Sequence, residues 1–91
     1  LTDEKIELDE AALDILNRKF QMLKDQLKEE NEITITFFQP DEKKSGGAYV
    51  TVTGALKKMD DFERQIVMLN GVKIPMDDVL DIEGELFATL Q

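Results

Sequence analysis

Two carboxylate pairs, Asp60-Asp61 and Asp77-Asp78, and five lysines, Lys43, Lys44, Lys57, Lys58 and Lys73, are the side chains whose type and spacing carry chemistry here. Adjacent carboxylates can hold Mg²⁺ or Ca²⁺ through oxygen. Both pairs sit at turn positions, however, where Asp bonds its own backbone and stays solvated, and no metal site is expected. Lysines that converge on one rim would form a basic patch for nucleic acid. Solvated faces and edge protection are the simpler account of them. The chain holds no His and no Cys, so the usual general base near neutral pH and the commonest nucleophile are both missing. Its only serine, Ser45, lies in a Gly-rich loop without a neighbouring base. The residues predict no catalytic site and no cofactor: the chain reads as a non-enzyme.

Charge narrows the partners. Twenty acids against eleven bases leave a net charge of −9, which repels a phosphate backbone. Residues 1–32 hold ten acids and five bases, and residues 33–91 hold ten and six, so no basic half hides behind the average. Direct nucleic-acid binding is therefore disfavoured. Without cysteine there is no disulfide framework and no thiolate metal site, and a cytoplasmic location is expected. No apolar run approaches the roughly 18–20 residues of a membrane span. Ninety-one residues suffice for a single domain with one modest core, spanning 1–91. Opening at Leu1 rather than Met, the chain reads as a fragment.

The positioning elements follow from periodicity. From Asp9 to Glu30, Leu13, Leu16, Phe20, Leu23 and Leu27 recur at steps of three and four, the stripe of an amphipathic helix. Asp9 can cap its first turn, Asp14 and Arg18 form an i,i+4 pair, and Asn31 can close its end. A second strip, Leu8, Ala12, Ile15 and Met22, widens the apolar arc to about 180°. Either the helix lies deep across a small sheet, or this strip meets a partner helix, including that of a second copy.

After Asn31 the period drops to two. Ile33, Ile35 and Phe37 alternate with Thr34, Thr36 and Phe38 in a first strand. A polar loop from Pro40 to Gly47 precedes a long strand over Ala48 to Met59, with Gly54 placed for a bend or bulge. A turn at Asp60 to Arg64 leads to a strand from Gln65 to Leu69. Asn70-Gly71 predicts a type I′ hairpin to a strand from Val72 to Met76. Asp77 to Leu80 reads as one helical turn, and Asp81 to Phe87 as the last strand. The expected class is mainly β (α+β): a small five-stranded, strongly bent SH3/Sm-like barrel over about 33–87, with one long N-terminal amphipathic helix over about 9–30. Its expected core is Leu16, Phe20, Leu23, Ile35, Phe37, Val50, Val52, Leu56, Ile66, Met68, Ile74, Val79 and Ile82.

Three runs also resemble a known family: Ile33-Thr34-Ile35-Thr36-Phe37-Phe38, Thr51-Val52-Thr53-Gly54-Ala55-Leu56-Lys57-Lys58-Met59-Asp60, and Lys73-Ile74-Pro75-Met76-Asp77-Asp78-Val79-Leu80-Asp81-Ile82. With the stretch Ile66 to Leu69 and the preceding helix, they resemble the YolD-like family of small bacterial and phage proteins. The resemblance implies a counterpart of UmuD, the accessory subunit of an error-prone Y-family polymerase in the SOS DNA-damage response. It implies a protein partner in translesion synthesis, not a chemistry, because UmuD cleaves itself with a Ser-Lys pair and Ser45 has no such setting. The element order also resembles Sm-like barrels, which makes an oligonucleotide-binding barrel the alternative. An Sm-type site would want a basic residue where Asp81-Ile82-Glu83-Gly84 stands.

The candidate protein contacts are Phe38, Tyr49 and Phe62, aromatics near loops or out of phase with the core, together with Leu8, Ile15 and Met22 of the helix. Phe38 is the preferred one. The nucleic-acid candidates are Lys43, Lys44, Lys57, Lys58 and Lys73.

Overall fold

A computed structural model describes residues 2–26 and 32–88. One helix, α1 (Glu10–Asp25), precedes five strands: β1 (Glu32–Pro40), β2 (Gly47–Asp60), β3 (Gln65–Met68), β4 (Lys73–Pro75) and β5 (Val79–Glu83). Short 3₁₀ turns occupy Met76–Asp78 and Glu85–Phe87. Asp9 caps α1 as expected, its carboxylate accepting the Ala12 amide at 2.8 Å. The expected helical extension to Glu30, with Leu27 on its stripe and Asn31 at its end, lies outside the described residues.

The strands form one antiparallel sheet in the order β4-β3-β2-β1-β5. β2 holds it together. Its residues Gly47 to Ala55 pair with β1, and Leu56 to Asp60 pair with β3 on the other side. The mainly β architecture with an N-terminal helix is thus present, but the sheet stays open. β4 and β5 stand at opposite ends, and no pairing joins them among the described residues.

Below the sheet, Leu16 and Leu23 of α1 meet Ile33, Ile35, Ile66, Met68, Ile74, Met76, Val79, Ile82 and Phe87. Eight residues of the expected core are buried: Leu16, Leu23, Ile35, Ile66, Met68, Ile74, Val79 and Ile82. Phe20, Phe37, Val52 and Leu56 are half-buried against them, and Val50 is half-buried. Leu13, expected on the buried stripe, is 45% exposed. Leu8, which precedes α1, and Met22 of the second strip are half-buried against the core, while Leu16 and Leu23 are the buried residues of the helix.

Three local expectations need correction. The last strand ends at Glu83, and Phe87 reaches the core from a 3₁₀ turn rather than from a strand. The Asn70-Gly71 connection is not type I′, because Asn70 does not take positive φ. Gly71 does (φ +93°), its amide donates to the Met68 carbonyl, and Asn70 Oδ1 accepts the Val72 amide. This is the longer hairpin, a turn followed by one left-handed residue. The irregularity in β2 falls at Leu56 to Lys58, not at Gly54.

Candidate protein-docking groove

Residues Thr2 to Asp9 form an extended arm that the sequence pattern did not reveal. Asp3 and Gly47 exchange two backbone hydrogen bonds, at 2.6 and 2.8 Å. The Thr2 hydroxyl donates to the Ser45 carbonyl, and the Ile6 amide donates to the Tyr49 phenol oxygen at 2.7 Å. Gly46 makes this approach feasible: a Cβ there would meet the Asp3 carbonyl at 2.5 Å.

Between this arm, the first half of α1 and the Met76–Asp78 turn runs a groove of about 550 Å³. Leu8, Leu16, Phe20, Met76 and Val79 give it an apolar floor. Leu13, and Ile6 at 53% exposure, stand at its mouth.

Two ion pairs fix the rim. Lys5 Nζ meets Asp78 at 2.8 Å, and Arg64 meets Asp77 at 2.9 Å. The hydrogen bond from Arg64, followed by its charge, holds the Asp77 carboxyl below the usual carboxylate value. The same bond raises the Arg64 guanidinium. Arg64 is also the one non-glycine at positive φ (54°) among the described residues. Its carbonyl accepts the Met76 amide, so the turn before β3 is tied directly to the groove wall. The rim's charges are spent on one another, which suits apolar contact better than recognition of an ion.

The expected contact residues divide. Phe38 is 5% exposed and does not present a free surface. It is out of phase with Ile33 and Ile35, as read, but that side of the sheet is covered at this end. Its ring meets Tyr49 edge-on at 5.3 Å and lies over Gly47, where a Cβ would come within 2.9 Å of it. Tyr49 is half-buried and lines the groove. Phe62 is 92% exposed on the turn between β2 and β3. Leu8 packs on the core and also lines the groove floor, Met22 packs on the core, and Ile15 is half-buried. The sequence pattern does not single out Ile6 and Leu13 as contacts, Ile6 because it precedes any periodic segment.

The four aspartates act in turns and pairs. Asp60 accepts the Glu63 amide, Asp61 meets Lys24 at 2.7 Å, and Asp77 and Asp78 serve the rim. The five candidate lysines do not form one rim. Lys43 and Lys44 lie in the loop before β2, and Lys57 and Lys58 lie near the other end of that strand. Lys58 and Lys73 flank Val67 from both neighbouring strands, so their stems share its face.

No helix among the described residues is long and apolar enough to cross a membrane. Comparison of the chain with protein-family models, characterised proteins and solved structures finds no match.

Proposed function

We propose that the chain is a non-catalytic, cytoplasmic protein-interaction module that docks apolar side chains of a partner in the groove between its arm and α1. The observation that carries this reading is the exposure of Ile6 and Leu13 above a continuous apolar floor, beside charges already paired. Apolar anchors framed by a satisfied polar rim are the usual anatomy of a protein contact. The YolD-like resemblance extends the proposal to the partner: an error-prone Y-family polymerase, or another factor of the DNA-damage response.

The test is affinity purification of the tagged chain from its host after DNA damage, with nuclease treatment and mass spectrometry. Recovery of a polymerase by the native chain but not by Leu13→Glu supports the proposal. Equal recovery by both refutes the groove.

One observation favours a second reading, an oligonucleotide-binding barrel. Lys57, Lys58 and Lys73 take part in no ion pair among the described residues, and Phe62 stands exposed on the turn that follows β2. Salt-sensitive binding of a short single strand, lost in Phe62→Ala, would favour it. The net charge of −9 weighs against it.

A further inference from the structure

Five charged side chains line the groove: Lys5, Glu7, Arg64, Asp77 and Asp78. Four of them are matched in the pairs Lys5–Asp78 and Arg64–Asp77. Glu7 is exposed and takes part in no ion pair among the described residues. It is therefore the one charge of the wall that an occupant would meet unneutralised. The next free charge has the same sign. Glu10 stands in the first turn of α1, three residues before Leu13, so the two share the helix flank that opens on the groove. Glu10 also has no ion-pair partner among the described residues, whereas Asp14, the next acid along the helix, is held by Arg18 at 3.0 Å.

The apolar part has a defined reach. Leu13 and Phe20 both line the groove, and the stretch of α1 between them rises about 10 Å. Neither described end of the chain runs into this opening. Asp3 pairs antiparallel with Gly47, which directs the backbone before it along β2 toward Thr51, and Thr51 does not line the groove. At the other end, Phe87 sits beside Lys19, whose bonds to Asp81 and Ile82 face β5. At about 3.6 residues per turn, Lys19 lies about 120° round α1 from Leu13, on the opposite flank.

We infer that the occupant of the groove is a short, basic, amphipathic segment of a partner protein. One or two bulky apolar side chains seat on the floor between Leu13 and Phe20, and a Lys or Arg beside them meets Glu7 and Glu10. This rests on the reading of the groove as a docking site and names the chemistry of what docks there. An acidic segment would bring a carboxylate against Glu7, with both cations of the wall already engaged. A second copy fits badly for the same reason. Two chains of net charge −9 repel, and the most exposed apolar side chain, Phe62, would arrive between Asp61 and Glu63.

The test is selection from a random dodecapeptide display library on the native chain, with the Leu13→Glu chain as counter-target. Because Leu13→Glu adds an acid, this subtraction removes peptides that merely follow the overall negative charge. The peptides that remain should carry Leu, Ile, Phe or Met beside Lys or Arg. A selected peptide is then titrated calorimetrically. Glu7→Gln/Glu10→Gln should weaken it about fivefold and flatten its salt dependence. Glu42→Gln/Glu83→Gln removes two exposed acids elsewhere and should change its affinity less than about twofold. Melting curves establish that each variant is folded; if one is not, the composition of the selected peptides and their salt dependence on the native chain decide.

Peptides that need Leu13 but show no basic excess, or that keep their affinity in Glu7→Gln/Glu10→Gln, would overturn the inference and leave the groove as a docking site. Equal weakening in both double variants would assign the effect to net charge and overturn it as well. A dimer in sedimentation that Leu13→Glu abolishes would make a second copy the occupant instead. Selection of no peptide that distinguishes the native chain from Leu13→Glu would overturn the inference and the groove reading together.

Discussion

Lys19 joins the helix to the last strand through two bonds, donating to the Asp81 carboxylate at 2.9 Å and to the Ile82 carbonyl at 2.6 Å. Its ammonium lies 5.6 Å from the centre of the Phe87 ring. Ile82 is fully buried, so its outward carbonyl has little access to water and depends on this one donor.

Removing the donor should leave that carbonyl unsatisfied. Lys19→Met keeps the aliphatic stem and loses the hydrogen bonds, and should cost about 1–3 kcal/mol in chemical denaturation. A loss below experimental error would show that water replaces Lys19.

Glycine replacements should separate contact from conformation. A Cβ at Gly47 would collide with the Gln39 carbonyl and lie 2.8 Å from Pro40 Cα and 2.9 Å from the Phe38 ring. Gly47→Ala should therefore cost about 1–3 kcal/mol or more, through forced backbone movement. Gly71 is at φ +93° with nothing within 4 Å of its missing Cβ. Gly71→Ala should cost only the backbone term, about 1–2 kcal/mol. Denaturation of the two variants side by side checks the order.

Much of the helix and sheet was legible because single residues carry directional information. Asp9 marks the start of α1, and the change from period 3.6 to period 2 after Asn31 marks its replacement by strand. Ile33 and Ile35 identify the buried face of β1. The groove was not legible, since one wall of it comes from Lys5 to Leu8, in an arm whose conformation is set by distant partners at Ser45, Gly47, Tyr49 and Asp78. Phe38 misled for a related reason. Its phase assigns it a face of β1 but cannot say what covers that face. Phe87 reads as strand in the sequence because its apolar neighbours give no cue that the pairing ends at Glu83, before Gly84.

The Arg64–Asp77 pair predicts a pH signature. Asp77 titrates below the usual carboxylate value in the folded chain because Arg64 bonds its charged form. Stability from this source is therefore present above the unfolded carboxyl value near 4, and is lost as pH falls through the folded value. Both side chains are well exposed, so the effect is small. Asp77→Asn should melt slightly below the native chain at pH 7, and the gap should close at acid pH. A gap that persists at acid pH would assign the loss to packing instead.

Groove and turn contacts should differ from core contacts in what they disturb. Phe62→Ala and Leu13→Glu should leave the melting temperature within about a degree or two, since both residues are exposed. Ile74→Ala should cost about 2–5 kcal/mol, because Ile74 is fully enclosed. Thermal melts of the three, followed by partner capture with the two stable variants, would separate binding from folding.

The strand that changes partners at Leu56 also governs how the chain comes apart. Gly47 to Ala55 and Leu56 to Asp60 belong to one uninterrupted backbone, and Ile66, Met68 and Ile74 of one half share a single buried cluster with Ile33, Ile35 and Ile82 of the other, so releasing either half exposes the core of both. Melting should run as a single event. Tyr49, the sole tyrosine in a chain without tryptophan, reports on the β1 half alone, while far-ultraviolet dichroism reports on the whole. The two signals should trace superimposable transitions. One continuous strand thereby gives the chain the all-or-none character of a single cooperative unit.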